Sequence, residues 1–267
     1  MSEINNCYNT WFGEVCLEDG LKVFRSKNLK ESFQSCKNWK LPFSVKDAGM
    51  IAFGSESEYY RNLRRTALQV AEERVRKELQ SDERYLISLL KALDEIDLGI
   101  NLFSEKIRDI EETRESSLTE KFNQIVSDLK TFRKDLENEI NSHAERIIPN
   151  VSSIAGGVIA ARLLEKAGSL KKLASMPAST IQIIGAEKSL FKAISRMKKG
   201  KKAKTPKHGI IFQHPYIRGL PKKKRGKMAR FMAAKLAIAA RIDFYGGELN
   251  EELVEIVRKK YGELQER

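Results

Sequence analysis

Gly185-Ala186-Glu187-Lys188-Ser189-Leu190-Phe191-Lys192 and, after a lysine-rich run, Thr205-Pro206-Lys207-His208-Gly209-Ile210-Ile211-Phe212-Gln213-His214-Pro215 form the centre of this chain. The first stretch opens, and the second lies within, a window between Glu187 and Asp243 that holds 18 Lys and Arg and no acidic residue. The whole 267-residue chain carries a formal net charge of +13, so the remainder sums to −5. The positive field is a property of one region. Its natural counterpart is a densely negative partner such as a phosphate backbone.

Ile181, Ile183 and Ile184 read as a buried run leading into Gly185, and Glu187-Lys188 start a helix whose N-terminal amides favour an anion. Lys198 to Lys204 places five lysines in seven residues with too little apolar content to pack, so a mobile loop is expected. Ile210-Ile211-Phe212 anchor the return to the core. Pro221 opens a second basic cluster that runs into a helix carrying Met228, Phe231, Met232, Leu236, Ile238 and Ile242 among many alanines, an interior helix. Its first turns present Lys223, Arg225, Lys227 and Arg230 outward. Upstream, Asn150 or Ser152 caps a helix that Gly168 ends, and Leu170 to Met176 is a short turn ended by Pro177. Glu248 to Tyr261 closes the region with an amphipathic helix. No carboxylate accompanies His208 and His214, so neither a metal pair nor acid–base catalysis is expected.

Before this region, Leu86, Leu89, Leu93, Ile96, Ile100, Phe103, Ile107 and Ile110 repeat at spacings of three and four. Leu118, Phe122, Ile125, Leu129, Phe132, Leu136 and Ile140 repeat in the same way. Only Thr113 to Ser117 separate the two seams, with Ser116 or Ser117 available as a cap, so the second helix must fold back antiparallel. The result is a coiled-coil arm suited to dimerisation, with Leu93, Ile96, Ile100, Phe103, Phe122 and Leu129 on its seam.

The first eighty residues read as a small α+β module. Trp11 to Leu17 and Leu21 to Arg25 are expected strands joined at Glu18-Asp19-Gly20. Helices follow from Asn28 to Lys37, from Ser44 through Met50, and from Ser55 to Gln80 with a stripe of Tyr60, Leu63, Ala67, Val70, Ala71, Val75 and Leu79. Cys7, Cys16 and Cys36, odd in number and without C-x-x-C spacing, read as reduced thiols of an intracellular protein rather than a disulfide or zinc site. Met1-Ser2-Glu3-Ile4-Asn5 does not resemble a signal peptide, and no apolar run is long enough to span a membrane. The expected fold is mainly α. It comprises an α+β domain over 1–80, the hairpin arm over 81–146 and an all-α domain over 147–267.

Gly185-Ala186-Glu187-Lys188 with Leu190-Phe191, then Pro206-Lys207-His208-Gly209 with Ile211-Phe212 and His214-Pro215, resembles the signature of the Nop domain family. Arg225-Gly226-Lys227 with Ala229-Arg230, and Ala233 through Asp243, continue the resemblance, and Pro149-Asn150-Val151 resembles the domain's opening. The short length and the lack of a long Lys-rich tail resemble the archaeal branch found in box C/D ribonucleoproteins. One departure is the polar stretch from Thr113 to Ser117, where relatives often have His-Phe-Pro-Glu-Leu.

The resemblance implies a scaffold without catalysis. Its first domain binds fibrillarin, a methyltransferase that uses S-adenosylmethionine, and this chain itself holds no cofactor. Its arm forms a homodimer, and its Nop domain binds a box C/D guide RNA already carrying a small kink-turn-binding protein. Carried over by motif, the RNA-binding residues are Asn150, Lys188, Lys192, Lys207, His208, Arg218, Arg225, Lys227 and Arg230. The product of the assembly is 2′-O-methylated ribosomal RNA. The expected location is the archaeal cytoplasm, or the nucleolus in a eukaryote. Alternatives are a spliceosomal Nop protein on a U4-like stem, a dimeric architectural DNA-binding protein, and a nuclease using His208 and His214.

Overall fold

The structure is a computed structural model and describes residues 7–17, 20–36, 40–113 and 117–266. The chain divides into two compact units, Met1–Gln80 and Ser81–Arg267.

In the first unit three antiparallel strands, β1 (Cys7–Thr10), β2 (Gly13–Leu17) and β3 (Leu21–Arg25), lie in sequence order. Helices α1 (Leu29–Ser35), α2 (Val45–Phe53) and α3 (Glu56–Leu79) follow. Each helix begins at a side chain accepting a backbone N–H three residues on: Asn28 from Glu31, Ser44 from Asp47 and Ser55 from Glu58. Phe12, Val15, Trp11, Ala48 and Tyr59 form the core.

Three expectations fail here. Trp11 and Phe12 are not strand residues but the turn between β1 and β2. Their apolar bulk, which resembles a strand in sequence, is buried at the turn. That turn sets Cys7 opposite Cys16, and the two form a disulfide, so the reading of all three cysteines as reduced thiols is corrected. The pairing depends on strand register, which cysteine spacing does not reveal. Cys36 alone is free. In α3 the buried face is Tyr59, Asn62, Thr66 and Val70, while Tyr60, Val75 and Leu79 are exposed. The expected turn residues Glu18 and Asp19 and the expected helix end at Lys37 lie outside the described residues.

The second unit opens with α4 (Asp82–Thr113) and α5 (Ser117–Ile147), which pack along each other as an antiparallel hairpin. The expected cap at Ser116 or Ser117 falls outside the described side chains. Then come α6 (Pro149–Ala155), α7 (Gly157–Ala167), α8 (Leu170–Ser175), α9 (Ala178–Ile183), α10 (Glu187–Lys198), a 3-10 turn (Ile210–Gln213), α11 (Pro215–Arg218), α12 (Lys222–Tyr245) and α13 (Glu251–Glu266). The single helix expected before Gly168 is two, broken at Gly156, whose φ of 81° is left-handed.

Helix α12 is the axis of this unit. Its alanines let α6, α8, α9 and α13 approach closely, and Met228, Met232 and Leu236 fill the gaps between them. Ile238, expected inside, is 41% exposed. The same core continues without interruption into the root of the arm through Leu86, Leu90, Leu93, Leu136, Ile140 and Ala144. An ion pair from Arg162 to Asp94 also ties the arm to α7. Beyond the root the arm helices close on each other, with Phe103 and Phe122 ring centroids 6.3 Å apart and Ile107 and Val126 buried.

Only part of the seam expected on α5 faces inward. Leu136 and Ile140 are buried as expected, joined by Val126 and Ala144, whereas Leu118, Ile125 and Phe132 are 56%, 44% and 56% exposed. Leu93 is buried, and Ile96, Ile100, Phe103, Phe122 and Leu129 are half-buried. In the single chain Leu93 and Ile96 pack into the core at the arm root, and Phe103 meets Phe122 across the hairpin.

Candidate nucleic-acid interface

The two sequence stretches that open this account cross each other. Gly209 N–H donates to Gln182 O at 2.9 Å and Ile210 N–H to Ile184 O at 2.9 Å, so the return after the lysine run is pinned on the end of α9. A Cβ on Gly209 would lie 1.9 Å from Ile184 O, and one on Gly185 would lie 2.6 Å from Ile210 Cγ1. Only glycine lets the backbones come this close. Ile211 is fully buried beneath the crossing.

On the crossing, His208 stacks flat on Phe212, with centroids 4.4 Å apart, and the Arg225 guanidinium lies 5.4 Å from the same ring. Burial, Arg225 and then Lys207 hold the His208 imidazole below its ordinary value, so it is neutral at pH 7. Arg225 also donates from Nε to Leu220 O at 2.7 Å and from a terminal nitrogen to Arg218 O at 3.2 Å. It braces the segment between α11 and α12 and leaves only part of its fork for a ligand.

Around this centre Lys188, Lys192, Lys207, Arg218, Lys227 and Arg230 are exposed. Among the described residues none of the Lys and Arg between 188 and 242 forms an ion pair with a carboxylate. A cleft of about 880 Å³ opens between α10 and the lysine loop, with Lys192, Arg196, Lys201 and Lys204 at its walls. Helix α10 presents apolar side chains among these charges: Phe191, Ile194 and Met197 are 67%, 37% and 51% exposed.

Two site expectations are corrected. Asn150 is fully buried and cannot reach a ligand in this conformation. Its Nδ2 and main-chain N–H donate to Asp243 Oδ1 at 2.8 and 2.9 Å, and its Oδ1 accepts from Asn250 N–H at 2.7 Å. Val151 N–H donates to Asp243 Oδ2 at 3.0 Å, so a carboxylate ninety residues away caps α6. At the N-terminus of α10 the helix's own first residue places a carboxylate beside the expected anion position, with Glu187 Oε1 accepting from Gly185 N–H at 2.6 Å. Sequence reasoning missed Asp243 as a cap and Arg225 as a brace. Both bonds are long-range or depend on a loop shape that no spacing reports.

His214, the second histidine of the motif, is structural. Its Nδ1 accepts from Tyr216 N–H at 3.1 Å, capping α11. Burial holds its ring below the ordinary value, against a weaker opposing effect of the Ile154 carbonyl. A histidine depressed on folding contributes stability above its ordinary value near 6.5, and that contribution is lost as pH falls through the folded value. The melting temperature is therefore expected to fall as pH drops below about 6.5. His214→Asn, which keeps a capping oxygen, should flatten that part of the curve in a thermal melt series.

Residues 68–263 match the family model described as Nop: snoRNA binding domain, fibrillarin. The chain belongs to the Nop family. An uncharacterized NOP5 family protein of Methanocaldococcus jannaschii is 45% identical to it over 144 residues, 54% of this chain and 34% of that protein. Nucleolar protein 58 of Candida albicans is 36% identical over 162 residues, covering 61% of this chain and 29% of the relative. Human nucleolar protein 56 is 37% identical over 144 residues, covering 51% and 23%. This Nop chain thus spans about a third or less of the length of these curated relatives. A chain in the crystal structure of a fibrillarin/Nop5p complex is 47% identical, with a TM-score of 0.57 over 97% of this chain and 99% of that one. Among the described residues no helix is long and apolar enough to cross a membrane.

Proposed function

We propose that this chain is the non-catalytic scaffold of a box C/D guide ribonucleoprotein. It joins fibrillarin to a kink-turn guide RNA for 2′-O-methylation of ribosomal RNA. The observation that carries this reading is the surface built by the Gly185–Gly209 crossing, on which exposed cations stand that, among the described residues, form no ion pair with a carboxylate. Such a surface binds a phosphate backbone by counterion release and positions it without reading bases. The methyl-transfer chemistry, with S-adenosylmethionine, belongs to the fibrillarin partner. The place of work is the archaeal cytoplasm, or the nucleolus in a eukaryotic cell.

Two further partners follow from what the surface leaves uncovered. Phe191, Ile194 and Met197 stand among lysines on α10, a mixture that suits a small protein seated on the RNA better than bare RNA. The kink-turn-binding protein is assigned to this face. Homodimerisation is assigned to the arm, where Leu98, Leu102, Leu118, Ile125 and Phe132 remain exposed.

The test is a titration of kink-turn guide RNA at fixed salt, with and without the kink-turn protein. Lys207→Glu/Lys227→Glu is the reversed-charge variant, since both side chains are exposed and neither braces the fold as Arg225 does. Partner-dependent binding that weakens by about a hundredfold or more in the variant is expected, with a shallower salt slope. Equal, weak binding to guide RNA, an unrelated hairpin and duplex DNA would leave only a general polyanion binder. An RNA phosphate beside His208 would offset the Arg225 and Lys207 charges that, after burial, lower its proton affinity, so binding is expected to take up a proton and tighten as pH falls below about 7. His208→Gln should abolish that pH dependence in the same titration.

A further inference from the structure

A second cleft, of about 610 Å³, lies away from the lysine loop, where the return segment meets α12 and α13. Lys223, Lys227 and Arg230, spaced along one face of α12, line it together with Lys207 from the return segment and Lys260 from α13. No carboxylate lines it. Lys207 is held in place twice. Its carbonyl accepts from Gln182 Nε2 at 2.6 Å, and its stem lies close over Gly226, where an added Cβ would be 3.1 Å from Lys207 Cδ. At the base of the cleft is the half-buried ring of Phe231, with Lys260 Nζ 5.8 Å from its centroid.

Phosphates alone need only a flat row of cations. A concave site with an aromatic base and a cationic rim offers in addition a π-face for a planar ring. We infer that this cleft takes one unstacked nucleotide of a single-stranded RNA segment, its base against Phe231 and its phosphate among Lys207, Lys227 and Arg230. The inference rests on the RNA-binding reading above and names a subsite of it. Lys235 Nζ lies 5.7 Å from the same Phe231 centroid, and Lys260 is ion-paired with Glu263 at 2.7 Å, so a base seated on Phe231 displaces these two flexible stems from the half-buried ring.

The experiment uses the full chain with guide RNA and the kink-turn protein, in wild type, Phe231→Leu and Lys227→Gln forms. Leucine keeps the apolar volume beneath the cleft and removes the π-face, and a melt of each variant checks the fold. Phe231→Leu is expected to weaken binding of RNA with a single-stranded flank by about tenfold, the value of one base–aromatic stack. Binding of a fully paired stem of the same length should be unchanged. RNA carrying 4-thiouridine in the flank should photocrosslink to the peptide containing Phe231 in the wild type. AMP should compete for this subsite in the wild type but not in Phe231→Leu, and pyrophosphate should compete less well than AMP. Wild-type affinity in Phe231→Leu without a crosslink at this peptide, or pyrophosphate matching AMP, would overturn the inference while leaving RNA binding intact. A wild type that binds no guide RNA would instead sink the underlying reading.

Discussion

Asp243→Ala is expected to melt roughly 6–12 °C below the parent chain, the shift for about 3 kcal/mol in a unit of this size. The carboxylate accepts three N–H groups, from the Asn150 main chain, the Asn150 side chain and the Val151 main chain. Removing it leaves these donors without their acceptor at a fully buried asparagine, and bonds to a charged acceptor are worth about 1.5–3 kcal/mol each before water substitutes for them. It also strips α6 of its cap, since Ile148 at that position has no side-chain bond to offer. Asn at 243 would still accept from one side but would turn donors toward donors on the other, so it should rescue only part of the loss. A thermal melt of Asp243→Ala that coincides with the parent would mean that water satisfies these groups as well as Asp243 does.

Ile125→Glu/Phe132→Glu is expected to separate the dimer proposed for the arm without lowering the chain's melting temperature. Both side chains are on the outside of the hairpin, so glutamate there costs the single chain little. In a dimer closed through the arm, the double substitution places four carboxylates in one apolar contact. At about 1 kcal/mol or more for each desolvated or opposed charge, the dimer weakens by about a thousandfold. Sedimentation of the full chain at about 10 μM reads the outcome. Leu93→Ala is the control: its side chain is buried at the arm's root, so it should lower stability by about 2–5 kcal/mol without specifically separating two chains. A variant that stays dimeric moves the interface off this row, and a wild type that is monomeric at every concentration removes the dimer.

The sequence by itself determined what depends on near neighbours. Asn28, Ser44 and Ser55 accept N–H groups three residues on, and Gly168 ends α7 with a left-handed φ of 86°, because caps are made within one turn. Apolar spacing and a link of a few residues were enough for an antiparallel hairpin, and the basic window was legible as a count. Tertiary structure decided which of two adjacent rows on α5 faces inward. A seam repeating every 3.5 residues drifts around a helix of 3.6, so Leu118, Ile125 and Phe132 and the buried row through Val126 are alternatives until a partner helix selects one. It also decided the Cys7–Cys16 pairing, which follows from a two-residue turn at Trp11-Phe12, and it turned Asn150 from a surface candidate into a buried clasp on Asp243. In each case the deciding contact lies far along the chain or hangs on one residue of register. Side-chain type and spacing carry no record of either.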